Sequence, residues 1–447
     1  MSKLPESEAA RYEEQARKAL AEDIHYLTSV TQMADVKEVV TSEEVFAANG
    51  MKLVDKGVAI GSGLRERLLK HVLLKPIDQS LAVRDGVSAE LLVQESGRLI
   101  DREPYLQRLL ASDQEAETAQ EALGELKLPG QLGFKLTVAR AQQPGLFEHL
   151  LLVAVIGYVL AKHPKLPPQQ CSNALLAGLM HDLGELHTDP ALLDRDHRIS
   201  GEEMRFVDVH PITSYLIAKE IVGSSHPEVA TAVLQHQEKL DGSGYPYGLR
   251  GEAVGQLARV ISIADVCASL IVRFGGNQRL STWMRLDRQK FDPVLIARLQ
   301  RGLGSGADDA SPTESVDLTQ IQAAAQLLRH WSEFSAALQG KAPPTLAFLF
   351  ERMADLRLMM LQFGLNPDDP LSLQALVGER EIANEMAAAF DEVRWQITDL
   401  QRETQRRRKT IVLSSEDDGR LFETWLAEIQ AYLQAVTPPD LAAALRR

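Results

Sequence analysis

The stretch Ser172–Leu193, SNALLAGLMHDLGELHTDPALL, decides the fold. Its opening is a run of apolar and small residues that reads as a buried helix, with Ser172 as the expected N-cap, and the run stops on the adjacent pair His181-Asp182. Neighbouring helical residues point about 100° apart, so the two share no face. At a helix end, however, an imidazole and a carboxylate can still converge on one ion.

Working outward, four further segments place polar residues inside apolar helical runs. His149 lies in LFEHLLLVAVIGYVL, and His210-Pro211 precedes ITSYLIAKEI, with the proline suited to a first helical turn. His236 comes late in PEVATAVLQHQEKLDGSGYP, ahead of a glycine-rich loop, and Asp265 interrupts ARVISIADVCASL. A carboxylate among apolar side chains is costly unless it is paired or bound to a metal. Each residue alone also reads as a satisfied core or helix-end group; five such placements in successive helices favour a shared site. Imidazole and carboxylate donors together suit iron, manganese or zinc better than calcium or copper. An acid bridging two ions about 3.5–4 Å apart would give the two-metal arrangement of phosphoester hydrolysis.

From Leu146 to about residue 300 the helical runs are joined by short Pro- or Gly-marked turns, so this region is expected to be all-helical. Before it, Asn49-Gly50 between two short alternating runs signals a hairpin, and Ser62 is placed to cap a helix carrying Leu64, Leu68 and Leu69. The segment KLPGQLG, residues 127–133, marks a boundary, and LGSGADDASPTES, residues 303–315, has the composition of a linker. The expected fold class is mostly α: a small α+β module over residues 1–125, a central all-helical domain over 135–300 and a helical region over 316–447. In the last, Met386, Phe390, Val393, Ile397 and Leu400 step by 4, 3, 4 and 3. That spacing suits either the core-facing side of a bundle or a dimerisation helix, so these helices are the candidate surface for a homodimer or a signalling-protein partner. The basic run 406–409 near that helix's end suits the helix dipole.

At 447 residues the chain is long enough for two to four domains. Its net charge of −14 disfavours general nucleic-acid binding but leaves room for a small phosphorylated ligand whose charge is met locally by metal ions. The two cysteines, Cys171 and Cys267, form no CxxC pair, which excludes a thiolate zinc site and a disulfide framework. No uninterrupted apolar window of about 18 residues is evident, so no membrane span is expected, and a cytoplasmic location follows as an expectation.

The strings HDLGELHTDP (181–190), HP (210–211), HQEKLDGSGYPYGLRGE (236–252) and ARVISIAD (258–265) together resemble the HD-GYP subfamily of HD-superfamily phosphohydrolases over residues 135 to 280. The hexapeptide Asp241–Pro246, DGSGYP, is the specific element. The resemblance implies that His149, His181, Asp182 and Asp265 hold one metal. It implies that His210 and His236 hold a second, with Asp182 as bridge. The family's His-His-Glu stands here as His236-Gln237-Glu238, which weakens the second site to a neutral amide donor. Gly145 occupies the place of the extra glutamate of trinuclear members. One or two divalent ions, iron or manganese, are thus implied.

The family's HDxGK lysine is replaced by Glu185, which sets an anion beside the expected phosphate and removes a donor. Asp182 and Glu185 are the catalytic candidates, the latter as a proton shuttle or simply a helix-end acid. Gly244, Tyr245 and Pro246 would form the substrate rim, with Arg259 either meeting phosphate or pairing structurally. The activity implied is hydrolysis of cyclic di-GMP to pGpG or GMP, water attacking phosphorus in line with the departing ribose oxygen. The alternatives are a degenerate domain that senses a cyclic dinucleotide or binds protein, and a one-metal hydrolase of another nucleotide.

Overall fold

The computed structural model describes residues 6–22, 24–110, 113–162, 168–193, 203–274, 290–303, 318–338, 342–362, 380–413 and 415–436. They belong to two compact units, one spanning residues 1–193, 205–275 and 288–305, the other built chiefly from residues 306–447.

The first unit opens with helices α1 (Glu6–Glu22) and α2 (Ile24–Ala34), followed by two small antiparallel sheets. Strand β1 (Val39–Thr41) pairs with β4 (Leu81–Val83), while β2 (Val45–Phe46) pairs with β3 (Lys52–Val54) across the Asn49-Gly50 turn. In α3 (Ser62–Leu69) the expected cap is displaced: Gly61 is the N-cap, and Ser62 lies inside the first turn. Its N–H donates to Asp35 Oδ1 at 2.8 Å and its hydroxyl to Asp35 Oδ2, so an acceptor distant in sequence takes over the local capping role. These two hydrogen bonds hold the Asp35 carboxyl below its ordinary pKa. Helix α4 (Ala89–Arg102) does have a serine cap, Ser88 accepting from the N–H of Leu91. It is followed by α5 (Pro104–Leu109) and α6 (Asp113–Gly124).

The break expected at 127–133 separates no units, because residues on both sides lie in the first one. Helix α7 (Gly130–Gln142) starts inside that segment, and its Thr137 Oγ1 accepts the N–H of Val87 at 2.8 Å. Helix α8 (Pro144–Ala161) is buried on every face from His149 to Ala161, as expected of a central helix that is apolar all round. It is long and apolar enough to cross a membrane, but 83% of it is buried within the unit, packed by α9 (Pro168–Met180) and α14 (Gln256–Phe274). Helix α9 begins a turn earlier than expected. Pro168 opens it, a position that suits proline's fixed φ, and Ser172 sits inside the helix rather than capping it. A 3-10 turn over Leu183–His187 then leads to α10 (Pro190–Leu193), α11 (Met204–Val207), α12 (His210–Val222) and α13 (Pro227–Gln235).

The second unit contains helices Leu318–Ala337, Ala347–Gln362, Arg380–Arg407 and Glu416–Val436. Its core gathers Trp331, Leu349, Met360, Phe422 and Trp425, and Phe390, Val393, Ile397 and Leu400 are buried in it. The heptad-like seam is therefore filled by the helix's own bundle rather than left for dimerisation; the side chain of Met386 lies outside the described residues. So does the linker of 303–315 from residue 304 onward.

Candidate metal centre

His181 and His236 follow directly on helix ends and His210 opens α12 three residues after α11 ends, so each can reach a carbonyl near a helix C-terminus, where the last carbonyls have no partner within the helix. His181, after α9, directs Nδ1 at the carbonyl of Gly178 (2.8 Å). His210, after α11, does so to Val207 (2.8 Å), and His236, the C-cap of α13, to Val233 (2.7 Å). A carbonyl only accepts, so each ring carries a proton on Nδ1 and turns Nε2 inward. A backbone acceptor on the far nitrogen is the usual way of orienting a metal-binding imidazole.

The inward nitrogens meet in pairs. His149 and His181 bring Nε2 to within 3.3 Å of each other, and so do His210 and His236. Asp182 lies across both pairs: Oδ2 is 3.1 Å from His181 and 3.7 Å from His149, while Oδ1 is 3.3 Å from His210 and 3.2 Å from His236. Asp265 completes the first pair, its Oδ1 3.1 Å from His149. All six side chains are buried. Asp182 Oδ1 has no hydrogen-bond partner among the described residues despite the two imidazoles beside it. Facing nitrogen lone pairs and an orphaned carboxylate oxygen need a shared positive charge between them, so the donor set fits a divalent cation. The groups His149, His181, Asp182 and Asp182, His210, His236 each converge closely enough to hold one.

The electrostatics of the cluster follow from burial set against proximity. Burial would raise the Asp182 carboxyl, but His181 and His210 outweigh it and hold Asp182 well below the usual range. Burial likewise opposes ionisation of Asp265, and His149 overcomes it. His181 is pulled down by burial yet pushed up to about 9 by Asp182 and Asp265, and His210 to about 8 by Asp182 with help from Glu185. For His149 and His236 desolvation wins, and both stay below the ordinary value. Protons on His181 and His210 therefore compete with metal for the same nitrogens.

Gln237 follows His236, and its amide Nε2 donates to Asp265 Oδ2 at 3.1 Å. It steadies a ligand of the first pair instead of adding a donor to the second. Glu185 is buried in the 3-10 turn, its N–H bonded to the carbonyl of Asp182, and its charge is felt at His210. Gly184 beside it has no room for a side chain, since a Cβ would stand 2.6 Å from the carbonyl oxygen of His210.

The glycine-rich loop rests on the segment that carries His236. A Cβ on Gly244 would fall 2.3–2.4 Å from backbone atoms of residues 237–239, so only glycine permits this approach. Tyr245 donates its N–H to the carbonyl of Gln237 and sets its ring edge-on to His210, with centroids 6.1 Å apart; Pro246 follows. Glu238, missed by sequence reasoning as a positioning group, clamps the loop from beneath: it is 1% exposed, and its two oxygens accept the N–H groups of Tyr247 (2.7 Å) and Leu249 (2.8 Å). The available signal was an acid next to a ligand histidine at the start of the loop.

Arg259, for which phosphate contact and structural pairing were both open, makes structural pairings. Its guanidinium donates to the carbonyls of Val254 (2.9 Å) and Gly251 (3.0 Å) and pairs with Asp292 (3.3 Å) and Glu252 (3.2 Å). Planar fork geometry is spent on the loop after the hexapeptide.

With this geometry in view, residues 99–293 match the model of the HD domain family. The chain carries an HD domain. The HD domain is distantly homologous to the HD-GYP cyclic-dinucleotide phosphodiesterases. It is 33% identical over 189 residues to a 3'3'-cGAMP-specific phosphodiesterase of Vibrio cholerae, covering 40% of this chain and 43% of that one. It is 31% identical over 167 residues to a cyclic di-GMP phosphodiesterase of Pseudomonas aeruginosa (35% and 39%), and 30% identical over 172 residues to a cyclic di-GMP phosphodiesterase response regulator of Xanthomonas campestris (37% and 42%). The chain thus spans less than half the length of these relatives.

Proposed function

We propose that this chain is a metal-dependent phosphodiesterase that opens a cyclic dinucleotide, with cyclic di-GMP, hydrolysed to pGpG or GMP, as the first candidate. The observation that carries this reading is Asp182 lying between two facing imidazole pairs, one carboxylate oxygen toward each. Relatives with both cyclic di-GMP and 3'3'-cGAMP in their names make 3'3'-cGAMP the competing substrate. His149, His181, Asp182 and Asp265 would hold the first divalent ion, iron or manganese, and His210 and His236 with Asp182 a weaker second. Such an ion lowers the pKa of a nearby water and offsets phosphate charge. Tyr245 would meet a base or ribose at the rim that Glu238 keeps in place. The two free cysteines suit a reducing compartment, and the cytoplasm is the proposed site of action.

A second reading, a sensor that binds the dinucleotide without cleaving it, is favoured by two features. Gln237 serves Asp265 rather than a second ion, and an anion, Glu185, stands where a phosphate-facing cation would help. Turnover of cyclic di-GMP and 3'3'-cGAMP in Mn²⁺, compared between wild type and Asp182→Ala, separates the two. Hydrolysis lost in the variant supports the enzyme; binding without hydrolysis in the wild type supports the sensor.

A further inference from the structure

Lys135 is a charged residue within the apolar run LGFKLTVA of α7, and it is buried at 4% exposure. Its ammonium lies 3.4 Å from Asp78 Oδ2, in the 3-10 turn Ile77–Gln79 ahead of β4, and that ion pair is almost fully shielded from solvent. It also stands 4.0 Å over the ring of Tyr26 in α2 and 3.4 Å from His187 Nε2. An ammonium can only donate, so His187 accepts through Nε2. The His187 ring in turn lies against Tyr26, with centroids 4.7 Å apart.

His187 closes the 3-10 turn Leu183–His187, which begins one residue after Asp182 and carries Glu185. On its other side this turn is tied to α12, the N–H of Gly184 donating to Ser214 Oγ at 2.8 Å. The turn that follows the bridging carboxylate is thus gripped from two directions, by a helix that starts with His210 and by a buried cation anchored on Asp78. We propose that Asp78, Lys135 and His187 form a positioning relay through which the N-terminal α+β residues set the placement of Asp182, and with it the affinity of the metal centre. This rests on the metal reading of the His/Asp cluster. Among the described residues the three belong to none of the converging ligand groups, so they are positioning residues and not ligands.

Breaking either end of a buried ion pair leaves an uncompensated charge, whereas removing both partners together restores neutrality. That contrast separates the relay from a merely structural pair. The experiment is calorimetric titration of Mn²⁺ into the full chain for wild type, Asp78→Asn, Lys135→Met and the double variant, with thermal unfolding of each. Loss of groups that orient metal ligands weakens metal binding by roughly 10–100-fold. The expected result is a fall of about tenfold or more in Mn²⁺ affinity for both single variants. The double variant should regain most of the melting temperature yet keep the weakened affinity, because His187 still lacks its donor. An affinity equal to wild type in the double variant, or unchanged in the singles, overturns the relay. If the single variants fail to fold, the double variant alone decides. A wild type that binds no Mn²⁺ removes the metal reading itself, a failure distinct from equal affinities across the series.

Discussion

Two regions of this chain bury several charges together, and they do so by opposite means. In the C-terminal unit Arg352 pairs with Asp399 and lies 3.6 Å from Glu403, while Arg407 reaches Glu403 at 2.7 Å and packs over Phe348. The cations there are permanent and covalently attached. In the HD domain two buried carboxylates meet four imidazoles whose Nε2 atoms point at one another. Imidazole can be neutral, so that cluster has no fixed cation and can take one from solution. The first arrangement carries its own cations, and the second has donors placed for one from solution.

The difference can be broken most forcefully from the permanent side. Arg352→Met should destabilise the C-terminal helices by about 3 kcal/mol, because Asp399 loses its cation and Glu403 is left with Arg407 alone, while Mn²⁺ binding by the HD domain stays unchanged. Chemical unfolding followed by the fluorescence of Trp331 and Trp425 would read this. On the exchangeable side, Mn²⁺ at about 100 times its dissociation constant should stabilise the HD domain by about 2.7 kcal/mol, and chelation should reverse it. Thermal unfolding with and without chelator checks this. Unfolding that ignores both treatments would make the two clusters alike.

A smaller effect comes from Glu403, whose carboxyl is pushed up to about 6 by burial, against the pull of Arg407 and Arg352. A carboxyl with a raised folded pKa contributes most below its unfolded value of 4.5 and loses that contribution as the pH rises through about 6. The C-terminal helices should therefore lose on the order of 2 kcal/mol between pH 4.5 and 7, and Glu403→Gln should flatten that slope. Unfolding curves across that range supply the comparison. Smallest, Gln237→His should tighten a second Mn²⁺ by about tenfold, or 1.4 kcal/mol, by turning an amide that serves Asp265 into a donor for the other lobe. Stoichiometry moving from one ion toward two would sharpen the contrast; unchanged stoichiometry would count against Gln237 as the cause of asymmetry.

How much of this was legible in the sequence depended on whether the information was local. His149, His181, Asp182, His210, His236 and Asp265 were visible because each is a polar residue in or beside an apolar helical run, and the structure brings all six together. The seam of Phe390, Val393, Ile397 and Leu400 could be seen, but its partner could not, since periodicity does not say whether the apolar face meets its own chain or another. Ser62 and Ser172 looked like caps; a distant acceptor, Asp35, decided the first, and an earlier proline start decided the second. Arg259 showed its charge and not its partners, three of which lie within eight residues and one beyond thirty. Lys135 was not singled out in the sequence, because the partners that give it a role, Asp78 and His187, are more than fifty residues away from it in opposite directions along the chain.

The central claim is that the HD cluster exchanges protons for a divalent cation. Calorimetric titration of Mn²⁺ into wild type and Asp182→Asn, each in two buffers of different ionisation enthalpy and at several pH values, tests it directly. With His210 raised to about 8 and His181 to about 9, binding to the wild type should release protons and tighten as the pH rises toward 9, and Asp182→Asn should lose most of that affinity. A folded wild type that binds no Mn²⁺, or binds it with no proton release and equally well in Asp182→Asn, would contradict it.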